Sequence, residues 1–333
     1  MKLWKIILLA ALVAALFGGR LAARARIPQR ALGAEPQTGA ITYDGLERSF
    51  VFYVPDPAPS RPAPLVMVLH GGGGTAEHAM DVMTEGRWNE LADRDGFIVV
   101  YPQGVDNLWN DCRADGESSG ADDSGFLVAL AGYFSRRYPV DASRVYAAGH
   151  SNGAMMSQRL ALEHPGVFAA VFSNTGPLPA LSECAPARGP VSVMFLAGTA
   201  DPMIPFEGGE VDPPGNGDHG TVLSAAATVA AWTRALSATG APEVIHVPDI
   251  VPGDGSTITI SSYTGLGGEL RYYQADGGGH GWPSPTQFPP AEQLRKGKKN
   301  QDIVACDEAW AFFQRHPRAP LPHRLALPVL GGL

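Results

Sequence analysis

Cysteine is scarce in this chain, and cations are outnumbered. Its 333 residues hold three cysteines, Cys112, Cys184 and Cys306, and 25 Lys and Arg against 33 Asp and Glu, a formal charge of −8. The cysteines lack metal-site spacing, so no metal is expected. In an exported chain they permit one bridge and one leftover thiol, in three ways, a staple rather than a scaffold. The acidic balance repels phosphate backbones, so nucleic acid is not an expected partner. No apolar run reaches the ~20 residues of a spanning helix. Internal repeats are absent, and no linker-like stretch divides the body of the chain.

What is present begins with "MKLWKIILLAALVAALFGGRLAARARIPQ". Two lysines, an apolar run from Ile6 to about Gly19 and the small-x-small site Ala23-Arg24-Ala25 are laid out as a secretory signal peptide, residues 1–25. Lys2, Lys5, Arg20 and Arg24 leave with it and no acid does, so the formal charge moves from −8 to −12. The mature protein is expected in a periplasm or outside the cell, without stable membrane association. An extension, 26–38, precedes a catalytic domain at 39–316, and a Pro-rich tail fills 317–333.

Within that domain a strand-then-helix rhythm recurs. "AITYDGL" (40–46) and "RSFVFYVP" (49–55) read as an antiparallel edge pair. "PLVMVLHG" (64–71) and "GFIVVYPQG" (96–104) are continuous apolar runs, as strands buried on both faces should be. Helical spacing follows at 76–94, 124–138, 154–165, 221–236 and 307–317, with further strands at 144–153, 168–174 and 191–201 and two more between 257 and 276. The pattern predicts a single α/β domain on a doubly wound, mostly parallel sheet, with ligands at the carboxyl ends of the strands.

Two segments match G-x-S-x-G: "GESSG" at 116–120 and "GHSNG" at 149–153. Ser118 lies in a polar loop with neither strand nor helix beside it. Ser151 follows the buried run "RVYAAG" and opens a helix, the strand–turn–helix setting of a nucleophile elbow. Gly149 and Gly153 remove side chains that would strike the turn, and the helix N-terminus points unpaired N–H groups at the site.

A serine alcohol needs a base, itself oriented by a third group. Asp201, just past the strand "VSVMFLAG", and His280, in the glycine-rich loop after "ELRYYQAD", follow Ser151 in the order Ser, Asp, His. Asp276 is the fallback acid. His164, His219 and His246 are weaker bases by position, and Asp122 and Asp123 read as caps of the 124–138 helix. "HGGGG" (70–74) supplies a glycine-rich oxyanion loop; the N–H groups of Asn152 and of a residue near Gly72 are the expected donors. No Lys-Ser/Thr follows these glycines, which argues against a phosphate loop.

"LHGGGG", "YPQG", "LWNDC…DDSGFL", "RVYAAGHSNGAMMSQRLA", "GTADPMIP" and "GGGHGWP" together resemble the secreted α/β-hydrolase esterases grouped with polyhydroxybutyrate depolymerases and feruloyl or acetylxylan esterases. The resemblance runs from about Gly39 to Arg315. It implies a Ser151–Asp201–His280 triad, an acyl-enzyme, no metal and no organic cofactor. It also points to a Cys112–Cys184 bridge that leaves Cys306 free. The ester substrate is expected to be a hydroxyalkanoate oligomer, with feruloyl or acetylxylan esters as the alternative and a non-catalytic binding protein as a more distant one. Trp109 and Trp282 are expected as pocket walls, and the loop 206–220 as a lid. No polyester-binding module follows residue 316, which favours soluble or loosely held esters.

Overall fold

The computed structural model describes residues 33–185, 189, 191–211 and 219–318. The leader, the extension up to residue 32, the tail from 319 and residues 212–218 of the proposed lid lie outside the described residues.

The strands are β1 (Gln37–Tyr43), β2 (Leu46–Tyr53), β3 (Ala63–Leu69), β4 (Ile98–Pro102), β5 (Val140–His150), β6 (Ala170–Asn174), β7 (Ser192–Gly198), β8 (Gly209–Glu210), β9 (Thr221–Val222), β10 (Glu243–His246), β11 (Thr257–Gly265) and β12 (Gly268–Asp276). Ten of them form one sheet in the order β1-β2-β4-β3-β5-β6-β7-β12-β11-β10, and β8 and β9 pair separately. From β4 to β12 the neighbours run parallel. The β1–β2 pair forms one antiparallel edge, as its alternation indicates, and β10 and β11 form the other.

The continuous apolar runs are buried on both faces for a visible reason. Along β3, Leu65, Met67 and Leu69 join a core with Phe126, Phe134 and Trp232, while Val66 and Val68 join another with Trp88, Phe97 and Phe313. Period-two alternation sends neighbouring side chains to opposite sheet faces, and helices cover both. Those helices are α1 (Arg87–Asp95), α2 (Asp123–Arg137), α3 (Asn152–Glu163), α4 (Ala225–Ala235) and α6 (Ala305–Arg315), while α5 (Pro290–Lys296) buries no residue in either core. The segment read as helical over 76–94 is a turn at Ala76–His78, a π-helical turn at Ala79–Met83 and then α1. Helix α5, opened by proline at its first position, is an addition to the sequence reading.

The two acids at the start of α2 divide their work. Asp122 Oδ1 accepts the Gly125 N–H at 2.9 Å as a cap. Asp123 is instead buried, ion-paired to Arg48 at 2.5 Å and accepting from Asn110 N and Ser119 Oγ. Already inside the helix, it faces β2 rather than the helix end.

Candidate active site

Ser151, Asp201 and His280 come from the carboxyl ends of β5, β7 and β12, where an open α/β sheet places its crevice. Ser151 stands between β5 and α3 at φ 57°, ψ −124°, and makes no side-chain capping bond. That conformation is costly for a residue with a Cβ and persists only where the surroundings impose it. Here they do. A Cβ on Gly149 would strike the Gly153 carbonyl, and one on Gly153 would strike the carbonyls of Leu69 and His70. The Ser151 N–H donates to the Asn174 carbonyl at 2.9 Å.

His280 is buried, and its Nδ1–H donates to Asp201 Oδ2 at 2.8 Å. The other oxygen of Asp201 accepts the N–H groups of Met203 and Ile204 at 2.8 and 2.9 Å. The carboxylate is thereby oriented with one edge left for the imidazole. The fallback acid, Asp276, accepts from Gln274 at 2.7 Å and does not bond His280. Ser118 accepts from Gly120 N in its loop. His246 sits on the edge strand β10 and His164 ends α3.

Several residues outside the sequence reading hold this constellation together. Asn174, the last residue of β6, donates its amide to His150 Nδ1 at 2.8 Å and to the Gly281 carbonyl at 3.1 Å. One side chain thus ties the residue before Ser151 to the residue after His280. Because the amide nitrogen donates, His150 Nδ1 is the acceptor and the ring proton lies on Nε2. Its ring rests against that of His280, centroids 4.6 Å apart, and burial pushes its pKa well down, so it stays neutral. The sequence signal for Asn174 was its place at a strand's carboxyl end.

Opposite Ser151, the glycine loop brings Gly72 beside Asn152: a Cβ built on Gly72 would stand 3.7 Å from the Asn152 Cβ. Neither N–H donates to an acceptor among the described residues. His70 anchors the loop, accepting the Gly104 N–H on Nε2 at 3.0 Å and meeting the Gly71 carbonyl through Nδ1 at 2.8 Å. A backbone N–H can only donate, so Nδ1 carries the proton. Burial, opposed by the bond to Gly71, pushes the His70 pKa from 6.5 down to about 4. The unfolded chain takes up this proton near pH 6.5 and the folded one only near 4. The stabilisation is therefore complete above pH 6.5 and is lost as pH falls toward 4. Thermal midpoints should drop over that window, the His70 share being on the order of 3 kcal/mol. His70→Gln should flatten the slope; an unchanged slope would assign it elsewhere.

Trp109 and Trp282 are not pocket walls. Trp109 is 0% exposed: its indole N–H donates to the His70 carbonyl at 2.9 Å, and its backbone N–H and carbonyl grip the Asn152 amide at 2.8 and 3.0 Å. It therefore clamps the two proposed oxyanion donors into one unit. Trp282 is 3% exposed, packed edge-on against Phe172 with its N–H on Cys306 Sγ. Both indoles find better partners inside than across the cleft.

Asp111 completes the clamp, accepting from Asn152 Nδ2 at 2.6 Å and pairing with Arg113 at 2.9 Å. Next to it, Cys112 is bonded to Cys184, with Cα atoms 5.2 Å apart, and Cys306 is a buried free thiol. The bridge spans 72 residues, a separation for which chain entropy gives about 4 kcal/mol. Replacing both cysteines by serine should lower the unfolding free energy by about 2–4 kcal/mol in urea titrations. A loss below ~1 kcal/mol would mean that packing alone holds this loop.

The cleft has two lobes that meet at Ser151 and share Gly72, Gly73, Met203 and Arg295. One, of about 360 Å³, contains Leu108, Met155, Ile204, Val211 and His219; the other, of about 550 Å³, contains His280, His150, Thr75, His78 and Met83.

Residues 48–212 match the family described as esterase PHB depolymerase. The protein named "Putative esterase NocK" of Nocardia uniformis subsp. tsuyamanensis is 35% identical over 284 residues, 81% of this chain and 80% of that protein. The chain belongs to the esterase PHB depolymerase family. It is a carboxylic ester hydrolase. Other relatives are matched over less of their length. Feruloyl esterase B of Neurospora crassa is 38% identical over 37% of this chain and 42% of its own. The poly(3-hydroxybutyrate) depolymerase of Ralstonia pickettii is 27% identical over 71% and 52%. Among solved structures, acetyl xylan esterase from Aspergillus awamori superposes with TM-score 0.55 at 16% identity, over 74% of this chain and 95% of that one. At that identity the likeness speaks for the shared α/β-hydrolase fold alone.

Proposed function

We propose that this esterase cleaves short hydroxyalkanoate esters through Ser151, His280 and Asp201. The observation carrying the chemistry is the 2.8 Å His280–Asp201 bond in the cleft where the strained Ser151 stands. Asp201 keeps the His280 proton on Nδ1, so Nε2 is the free base. Ser151 Oγ bonds the acyl carbon as its proton passes to His280, and the oxyanion is met by the N–H groups of Asn152 and Gly72. The ester C–O bond then breaks and His280 returns the proton to the leaving alkoxide. Water repeats the sequence on the acyl-enzyme, releasing the acid and regenerating Ser151.

The lining supports an aliphatic acyl group. Among the described residues, neither lobe is walled by Phe, Tyr or Trp; the apolar contacts are Leu108, Met83, Met155, Met203, Ile204 and Val211. A feruloyl ring would find no aromatic face to stack on. The disulfide and the leader-like N-terminus support export, since such bridges persist in oxidising compartments. The test compares kcat/KM on a 3-hydroxybutyrate trimer and on methyl ferulate, with Ser151→Ala as the blank. We expect the trimer to be preferred at least about tenfold, roughly 1.4 kcal/mol. A preference for the ferulate would overturn the substrate assignment.

A further inference from the structure

Resting on that reading, we propose that Arg295 recognises a carboxylate on the alcohol half of the substrate, so that the enzyme works from the carboxyl end of an oligomeric hydroxy acid. Three observations lead here. First, the chemistry orients the substrate: His280 must hand its proton to the leaving alkoxide, and His280 lies in the larger lobe. The alcohol half therefore occupies that lobe and the acyl half the smaller one.

Second, the two lobes differ in charge. The larger contains Lys296 and Glu292, which pair with each other at 2.8 Å, and shares Arg295 with the smaller. Arg295 stands outside that pair, near enough to help lower the Glu292 pKa but not in contact with it, and His78, whose pKa burial lowers, lines the same lobe. The smaller lobe carries Asp106 and Glu117, and its Arg113 is already taken by Asp111.

Third, no contact ion pair holds Arg295. Among the described residues it has no carboxylate within 4.0 Å and makes no hydrogen bond, although it borders both lobes. A guanidinium presents a planar fork that matches a carboxylate. In a chain of formal charge −8 an anionic substrate meets a repulsive background, so a local cation at the mouth is what would make such a substrate acceptable. The polarity of the cleft thus parallels that of a hydroxy-acid oligomer. Its hydroxyl end, on the acyl half, faces the lobe of Asp106 and Glu117, and its carboxylate end lies in the lobe of His280, where the Glu292 charge is paired with Lys296 and Arg295 borders the space.

The test uses the full-length protein and two compounds with the same single ester bond: the 3-hydroxybutyrate dimer as free acid, and the same dimer with a terminal carboxamide. We expect kcat/KM to favour the acid about tenfold in 20 mM salt, mostly through KM, and less in 0.5 M salt, where exposed charges are screened. Arg295→Gln should collapse the acid-to-amide ratio toward one and Arg295→Lys should restore part of it. Arg136→Gln, the same charge change at an exposed position of α2, should leave the ratio alone. If acid and amide are cleaved equally, or if the ratio survives Arg295→Gln, the carboxylate assignment is wrong and the hydroxyalkanoate reading stands. If neither dimer is cleaved while methyl ferulate is, both fall.

Discussion

Ser151→Ala is expected to lower kcat by about 10⁴- to 10⁶-fold with little change in KM or thermal midpoint, because it removes the atom that forms the acyl bond and leaves the oxyanion donors in place. The elbow should tolerate the change. The strain at φ 57° belongs to the backbone, set by Gly149, Gly153 and the Ser151–Asn174 bond, and alanine carries the same Cβ. Ser118→Ala supplies the contrast, since that hydroxyl serves only its own loop. Stoichiometric fluorophosphonate labelling reads the same point without a substrate. Label retained in the Ser151 variant would move the nucleophile elsewhere.

Asp201→Asn should lower kcat by about 10⁴-fold while the fold survives. The reason lies in the three nitrogens around the side chain. The N–H groups of Met203 and Ile204 both need an acceptor, so the asparagine carbonyl must take the place of Oδ1. Its NH2 then faces His280 Nδ1 as a donor, forcing that nitrogen to accept and moving the ring proton to Nε2. The imidazole presents the wrong tautomer to Ser151 and cannot act as a base. Asp276→Asn should stay within about twofold of the parent by the same logic, because Asp276 bonds Gln274 rather than His280. Loss of activity in the Asp276 variant with retention in the Asp201 variant would reverse the assignment of the acid.

The elbow was legible because its requirements are local. A buried strand, a glycine two residues before Ser151 and another two after, and a helix opening immediately behind are all sequence neighbours, and sterics alone then dictate the turn. The polar loop around Ser118 lacks that frame. Asp201 and His280 were legible in a weaker sense, through chain order and the ends of strands; that they meet is a property of β7 pairing with β12. Asn174 and Asp111 carried no motif. Their importance arises from bonds to His150, Gly281 and Asn152, residues 24, 107 and 41 positions away.

The two tryptophans mark the boundary most clearly. Composition and position near the catalytic loops put Trp109 and Trp282 equally well in a cleft wall or in the core. Only the packed structure assigns them inward, because a buried indole needs both a cavity of its shape and an acceptor for its N–H, and those acceptors, His70 and Cys306, are supplied from 39 and 24 residues away. The charge of the cleft has the same origin. Arg295 is one of 25 cations in the sequence, and it differs from Arg113 and Lys296 in where the fold has put the nearest carboxylate. Periodicity and local sterics, acting over a few residues, were enough for the strands, the helices and the turn at Ser151. Which side chains face the substrate depends on long-range partners, and those exist once the sheet has closed its register.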